Sequence, residues 1–331
     1  MSQAPLSPAR RRRTLLVLCA ALGAALLLAV LVGPDEVGLG VLHEPELLRL
    51  RVARVLLAAV VGAGLAATGS ALQATLNNPL ADPYVLGVSG GAAMGGALAV
   101  ALGAGAAGLG LHAAAAVGAF GATALLAWFL ARDRGGRAET PLLVGVSLNA
   151  FSWALVSLVR ATVSASKTQT LSVWLVGSIG YPSPRDLAIA AVVTAVGVAL
   201  LVWRAGDLTL LRAGEDEARR LGVDVARVRL VIYGAASLLV GVAVSTSGVI
   251  GFLGLIAPHA VRLTISRDER LALPAAALVG AAALVAFDAL ARGSFALFDS
   301  EIPTGALCAV IGAPLFALGL WRKVVGAGGQ P

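Results

Sequence analysis

A few ionisable side chains lie inside long uncharged stretches of the chain, where a buried charge is costly and commonly serves a function. They are Arg160, His259, Arg262, Asp288 and Arg292. Asp288 and Arg292 stand four residues apart, so the spacing favours an ion pair along one helix face. Pairing across helices, for instance of Asp288 with Arg262, is the alternative. Ion-coupled secondary transporters use intramembrane carboxylates to bind the coupling ion. Because Asp288 is the only carboxylate in this set, the residues disfavour that class of transporter.

The segment Gly87-Val-Ser-Gly-Gly91 fits the G-x-S-x-G pattern of a nucleophilic serine. That chemistry requires a strained strand-to-helix turn or, in a membrane protease, a histidine near the serine. Here an apolar helix is predicted to begin at the motif, and His259 is the one candidate base inside an apolar run. The context therefore disfavours the alternative of an intramembrane serine hydrolase that uses Ser89.

The chain also lacks the residues of an ATP-hydrolysing site. No G-x-x-x-x-G-K-[ST] motif occurs, and Lys167 and Lys323 are the only lysines. The sequence therefore predicts that the chain is not itself an enzyme and that any ATP hydrolysis takes place on another subunit. Cys19 and Cys308 lie inside apolar runs, so they predict neither a disulfide nor a metal site.

These residues are set in a strongly apolar chain. Hydrophobic residues make up 58% of it and charged residues 13%, against about 25% charged residues in soluble domains. At about 20 residues per helical crossing, the uncharged runs predict an all-α integral membrane protein with about ten transmembrane helices in one compact bundle. The predicted spans are 14–33, 52–76, 86–105, 111–131, 141–162, 186–203, 228–248, 252–265, 272–292 and 303–321.

The net charge of +7 comes from arginines in the short breaks between these runs. If there are ten spans, the breaks fall on one side, as the positive-inside rule requires, and both the N and the C terminus are cytoplasmic. We therefore predict membrane lipid, and no nucleic acid, as a partner. The predicted organisation is a basic cytoplasmic tail over 1–13, a transmembrane domain over 14–323 and a C-terminal tail over 324–331.

The segment from Gln73 to Gly91 separates two of the apolar runs. Its Asn-Asn-Pro step at 77–79 and its Asp-Pro step at 82–83 end a helix and force a turn. Because both flanks are long enough to cross a bilayer, we expect a compact turn at a membrane face.

The break over 204–229 has a different pattern. Gly214 is followed by three acids at 215–217, two arginines at 219–220 and then Gly222. Acids in the first turn and bases in the last complement the helix dipole, and the glycine supplies a C-terminal cap. We predict a short helix near 214–222 at the cytoplasmic face, either an ordinary solvated loop helix or a docking element for a partner.

Arg51 and Arg54 open the second predicted span on the side opposite the arginine-rich breaks. Their position is an exception to the positive-inside rule. The residues alone leave two interpretations open, which are interfacial snorkelling of long side chains and a specific function.

Taken in order and spacing, several segments resemble the permease subunit of type II ABC importers for iron-siderophore, haem and cobalamin. The resemblance covers roughly residues 14–323. Its most specific segments are 51–54, 69–73, 78–83, 86–90, 214–223, 248–259 and 302–316. The chain departs from the family pattern at Ala53, where a proline is common, and at Asp268-Glu-Arg270, where Asp-His-Arg is common.

The resemblance implies a ten-helix permease that pairs with a second copy as a homodimer around a central pathway. Two ATP-binding subunits would bind below and hold ATP and Mg²⁺, while this chain would bind no cofactor. An extracytoplasmic substrate-binding protein would dock on the outer face. The cargo would be an iron chelate (a siderophore or haem) or cobalamin, moved across the bacterial cytoplasmic (inner) membrane.

The resemblance also implies roles for residues. The ATPase-coupling helix would comprise Glu215, Asp216, Glu217, Ala218, Arg219, Arg220, Leu221 and Gly222. The cytoplasmic gate would comprise Asn78, Leu80, Glu139 and Thr140. Arg51, Arg54 and Arg292 would be the outward arginines that pair with acids of the binding protein, which would explain the exception to the positive-inside rule.

Overall fold

The computed structural model describes residues 7–33, 38–84, 86–103, 109–132 and 140–327, and the regular elements of these residues are helical. A short 3-10 turn covers Leu39–His43. The α-helices are α1 (Pro8–Val30), α2 (Pro45–Thr75), α3 (Val88–Ala101), α4 (Leu109–Arg132), α5 (Thr140–Thr162), α6 (Ala165–Val176), α7 (Pro184–Trp203), α8 (Ala205–Leu211), α9 (Glu215–Arg220), α10 (Val225–Ser247), α11 (Leu253–Thr264), α12 (Glu269–Gly293), α13 (Phe295–Phe298) and α14 (Thr304–Ala327).

Helix α2 forms the centre of the bundle, where it packs against α7, α10, α11 and α12. Small residues allow these helices to come close, as expected for helix packing in lipid. Gly62 of α2 lies against Gly280 of α12, and a Cβ on Gly62 would overlap the Gly280 carbonyl oxygen. The two most central helices are therefore in backbone contact.

A second group of helices is built around α3, which packs against α4, α5 and α10. Gly87 begins this helix with φ of 80°, a left-handed conformation that glycine adopts without a steric penalty. Gly91 of α3 faces Gly118 of α4, where an added Cβ would again meet backbone. The glycines of the G-x-S-x-G segment thus serve turn geometry and close packing.

Six helical segments among the described residues are long and apolar enough to cross a membrane, and they lie in α1, α2, α5, α7, α10 and α12–α13. Shorter apolar stretches are Val88–Ala101, Ala113–Phe129 and Thr304–Leu318. Helix α11, predicted as a span over 252–265, has 12 residues and contains Pro258, whereas a crossing needs about 20 residues. The all-helical membrane class is confirmed, while the count of ten and the side of the termini stay predictions.

Two contacts fix the direction of α1 relative to α12. Arg11 pairs with Asp268 at 2.6 Å, which joins the starts of both helices. Arg292, at the end of α12, donates to the Ala29 carbonyl oxygen at 3.0 Å and also bonds the Val32 carbonyl oxygen. The two helices are therefore parallel. We name the end of the bundle that holds the starts of α1 and α12, together with α8 and α9, the arginine-rich end.

Candidate functional site

The charged segment predicted near 214–222 contains a helix, α9, which confirms that part of the prediction. Gly214 and Gly222 flank it with φ of 134° and 84°, conformations that a side chain disfavours. Ala218, on the inner face of this helix, is fully buried. The exposed members of the predicted set are Asp216, Glu217, Arg219, Arg220, Leu221 and Gly222. Helix α9 therefore packs against the bundle through Ala218 and exposes acids and arginines to solvent.

Glu215 anchors α9 to its neighbour α10. Its carboxylate accepts from Arg219 at 2.6 Å within the helix and from Arg229 of α10 at 2.7 Å. Glu215 therefore holds the helix in place, while the acids after it face solvent. The role of α9 as an ATPase-coupling helix stays a prediction.

A buried carboxylate, Glu269, lies beside α8 at the arginine-rich end. Arg212, which follows α8, contacts it at 2.9 Å, and Arg262 of α11 contacts it at 2.9 Å. Ser70 of α2 donates to its other oxygen at 2.9 Å. Glu269 therefore connects four elements of the bundle. Sequence reasoning missed it, because Asp268-Glu-Arg270 is typical of a solvated break between spans.

The turn predicted after Gln73 separates α2 from α3. Asn78 accepts from the Leu80 amide at 2.9 Å, and Asp82 accepts from the Tyr84 amide at 2.8 Å, so the two side chains close successive tight turns. Leu80 is 48% exposed at the tip.

The predicted gate is described only in part. Asn78 and Leu80 lie together in the turn, and Thr140 is the first residue of α5, while Glu139 lies outside the described residues. The turn and α5 are neighbours, because Gly87 packs against Leu148 of α5. The gate assignment stays a prediction.

The opposite end of the bundle holds a network of two buried arginines, one buried acid and one partly exposed acid. Asp288 pairs with Arg292, four residues on, at 3.0 Å, and with Arg54 of α2 at 3.1 Å. Arg54 also pairs with Glu301, just before α14, at 2.8 Å. The predicted pair of Asp288 with Arg292 is confirmed. Pairing across helices also occurs, but its partner is Arg54. The suggested partner Arg262 is wrong, because it pairs with Glu269 at the other end.

The three arginines assigned to partner docking are not exposed side chains in this conformation. Arg51, Arg54 and Arg292 are 5%, 4% and 0% exposed. Arg51 packs against Gly33, where a Cβ would overlap its guanidinium, and it has no carboxylate partner among the described residues. Their role in docking a binding protein stays a prediction. For Arg54 the partner would also meet Glu301, whose side chain is 33% exposed and pairs with Arg54.

Ser89 lies in the first turn of α3 and is 1% exposed. Its hydroxyl has no hydrogen-bond partner within the described part of the chain. No strand precedes it there, so the strained strand-to-helix turn of a serine hydrolase is missing from these residues. The local structure gives no support to nucleophilic chemistry at Ser89.

Comparison with known proteins places this geometry in a family. The model of the FecCD transport family matches residues 15–322. The cobalamin import system permease protein of Halobacterium salinarum is 39% identical over 267 residues, covering 81% of this chain and 71% of that protein. The hemin transport system permease protein of Yersinia pestis is 38% identical over 277 residues, covering 83% and 81%.

A solved structure shows the same fold. It is described as an inward-facing conformation of a metal-chelate type ABC transporter and is 32% identical in sequence to this chain. The TM-score is 0.85, and the match covers 94% of this chain and 99% of that one. The likeness therefore extends over nearly every helix described above.

Proposed function

Because the chain belongs to the FecCD transport family and is an ABC importer permease, we propose that it carries an iron chelate (a siderophore or haem) or cobalamin into the cytoplasm. The observation that carries this proposal is the 38–39% identity to relatives named for haemin and cobalamin. The fold it shares with a metal-chelate type transporter supports the same class of cargo. We infer the bacterial cytoplasmic (inner) membrane as its location.

We propose that two copies of the chain work with two ATP-binding subunits and an extracytoplasmic binding protein. ATP and Mg²⁺ would be bound by the ATP-binding subunits, since this sequence has no P-loop motif. The positive-inside rule supports a cytoplasmic location for the arginine-rich end. Helix α9 would then face the ATP-binding subunits, and the start of α1 would also be cytoplasmic.

The contacts of α9 suggest how a movement of the ATP-binding subunits would be transmitted to the permease helices. Glu215 links α9 to Arg229 of α10, and Arg212 links the neighbouring α8 to Glu269 of α12. Glu269 in turn contacts Arg262 of α11. A displacement of α9 by an ATP-binding subunit would therefore reach α10 directly, and α12 and α11 through α8 and Arg212, which suits rigid-body motion between two packings.

The proposal is tested by purifying the tagged chain from its native membrane in a mild detergent and identifying its partners by mass spectrometry. We expect a P-loop ATPase in a two-to-two ratio with this chain. The double variant Asp216→Lys, Glu217→Lys should lose the ATPase, because it reverses the exposed acids of α9 without touching the Glu215 anchor.

The matched control is Glu44→Lys with Glu46→Lys, which reverses two exposed acids near the start of α2. This control should retain the ATPase. A chain recovered alone, or an ATPase retained by the α9 variant, would contradict the assignment. Cargo is then identified by screening the cognate binding protein against haem, siderophores and cobalamin.

A further inference from the structure

A cavity of about 260 Å³ opens at the arginine-rich end, between the turn after α2 and the α11–α12 connection. Its lining includes Asn78, Arg212, Arg262, Leu263 and Arg267. The volume is several times the roughly 30 Å³ that one water molecule occupies in the liquid. The cavity can therefore hold a polyatomic ligand.

The charges around this cavity do not cancel. Arg212 and Arg262 share one oxygen of Glu269, so that two guanidinium groups face one carboxylate. The second Glu269 oxygen accepts from Ser70. Arg267 is exposed, and no carboxylate of the described chain pairs with it. The lining thus carries an excess of about two positive charges by this count, which favours an anion.

Two side chains of the lining, Asn78 and Arg212, keep donors that no described residue accepts from. The N–H groups of Arg262 are instead engaged by Glu269, Gln73 and Ser70. The Asn78 side-chain oxygen is occupied by the Leu80 amide, which leaves its NH₂ group for another acceptor. The hydrogen bonds of Arg212 within the described residues leave from Nη1, to Glu269 and to the Arg267 carbonyl. A guanidinium group can donate through its other nitrogens as well, in the fork geometry that suits phosphate.

We propose that this cavity binds a phosphate group, carried by an anionic lipid headgroup or present as free phosphate. Basic pockets between membrane helices on the cytoplasmic side commonly hold such headgroups. Leu263, which is 55% exposed on the same lining, offers apolar surface to an acyl chain and favours the lipid source. The assignment to a lipid headgroup rests on the cytoplasmic location proposed for the arginine-rich end, whereas the cavity's chemistry does not depend on which cargo is carried.

The test measures the thermal unfolding midpoint of the full-length chain in an uncharged detergent. Inorganic phosphate is added in one arm and phosphatidylglycerol mixed micelles in the other, with sodium chloride of equal ionic strength and phosphatidylcholine micelles as references. At saturating ligand we expect the midpoint to rise by about 2–4 °C over the reference. A rise with phosphatidylglycerol alone identifies the lipid headgroup, and a rise with both probes identifies free phosphate as sufficient.

Two variants make the test specific. Arg267→Gln removes one cavity charge. It should weaken the apparent affinity for phosphate or phosphatidylglycerol about tenfold, the usual loss for one charge-assisted hydrogen bond. Asn78→Asp keeps the acceptor for the Leu80 amide but adds a negative charge, and it should abolish the rise. The matched control Arg270→Gln changes an exposed arginine outside the cavity and should behave as the wild type. An equal rise in the Arg267 and Arg270 variants, or no rise with either probe, would overturn the proposal.

Discussion

At the scale of single residues, Asp288 is the acid that holds the two buried arginines together. It is 0% exposed and contacts Arg54 and Arg292 at once. We expect Asp288→Asn to destabilise the fold by about 3–5 kcal/mol, because it leaves buried guanidinium groups without their shared carboxylate. Thermal unfolding in detergent would show this as a lower midpoint.

The matched variant for that prediction is Glu301→Gln. Glu301 contacts Arg54 from a position that is one third exposed, where solvent weakens the interaction. Its loss should therefore lower the midpoint much less than the loss of Asp288. Equal effects of the two variants would show that burial does not set the strength of these pairs.

Arg51 offers the cleanest residue-scale test of binding-protein docking. Among the described residues it has no carboxylate partner, so Arg51→Gln breaks no internal ion pair. If Arg51 meets an acid of the binding protein, this variant should lower the ratio of stimulated to unstimulated ATPase activity of the reconstituted complex several-fold. Arg185→Gln, at an exposed site at the start of α7, serves as the control. An unchanged ratio in the Arg51 variant would remove Arg51 from the docking surface.

Charge pairing shows where sequence reasoning succeeds at this scale and where it fails. The Asp288–Arg292 pair follows from the four-residue spacing of one helix, which requires no knowledge of the fold. The pairs of Arg54 with Asp288 and of Arg262 with Glu269 join residues of different helices. Their partners depend on how the helices are arranged, which periodicity does not specify.

At the scale of elements, the contact of α2 with α12 depends on Gly62 and Gly280. We expect Gly62→Ala to lower the unfolding midpoint by several degrees, because the new Cβ overlaps the Gly280 carbonyl oxygen and must push two central helices apart. Gly121→Ala in α4 is the control, since a Cβ there meets nothing within 4 Å. The control should leave stability unchanged or raise it by roughly 0.5–1 kcal/mol.

The long apolar helices are predictable from hydrophobicity, whereas α6 and α8 lie in predicted breaks between spans. The flanking glycines and the charge order near 214–222 predict a short helix, and α9 covers Glu215–Arg220. The predicted span 252–265 corresponds to α11 with only 12 residues. Hydrophobicity marks residues that avoid water, but a helix buried among other helices is as apolar as one that faces lipid.

At the scale of the whole molecule, exposed apolar surface faces either lipid or a second copy, so exposure alone does not locate the contact between copies. Phe151 of α5 is 60% exposed and Leu27 of α1 is 73% exposed. The resemblance to type II importer permeases implies that the fifth predicted span, which is α5, lines the central pathway between two copies. On that expectation, Phe151→Cys in a background without Cys19 and Cys308 should form cross-linked dimers with a short bifunctional reagent. Leu27→Cys should not. Equal cross-linking at both positions would point to random encounters of detergent-solubilised chains.

The parallel contact of α1 with α12 has a consequence for synthesis of the chain. Arg11 and its partner Asp268 are 257 residues apart, and Ala29 and its partner Arg292 are 263 residues apart. Helix α1 therefore leaves the ribosome long before α12 and waits in the bilayer until that main neighbour has been translated. During that interval lipid and the adjacent helix α2 hold α1 in place, and its own length and flanking arginines contribute to stable insertion.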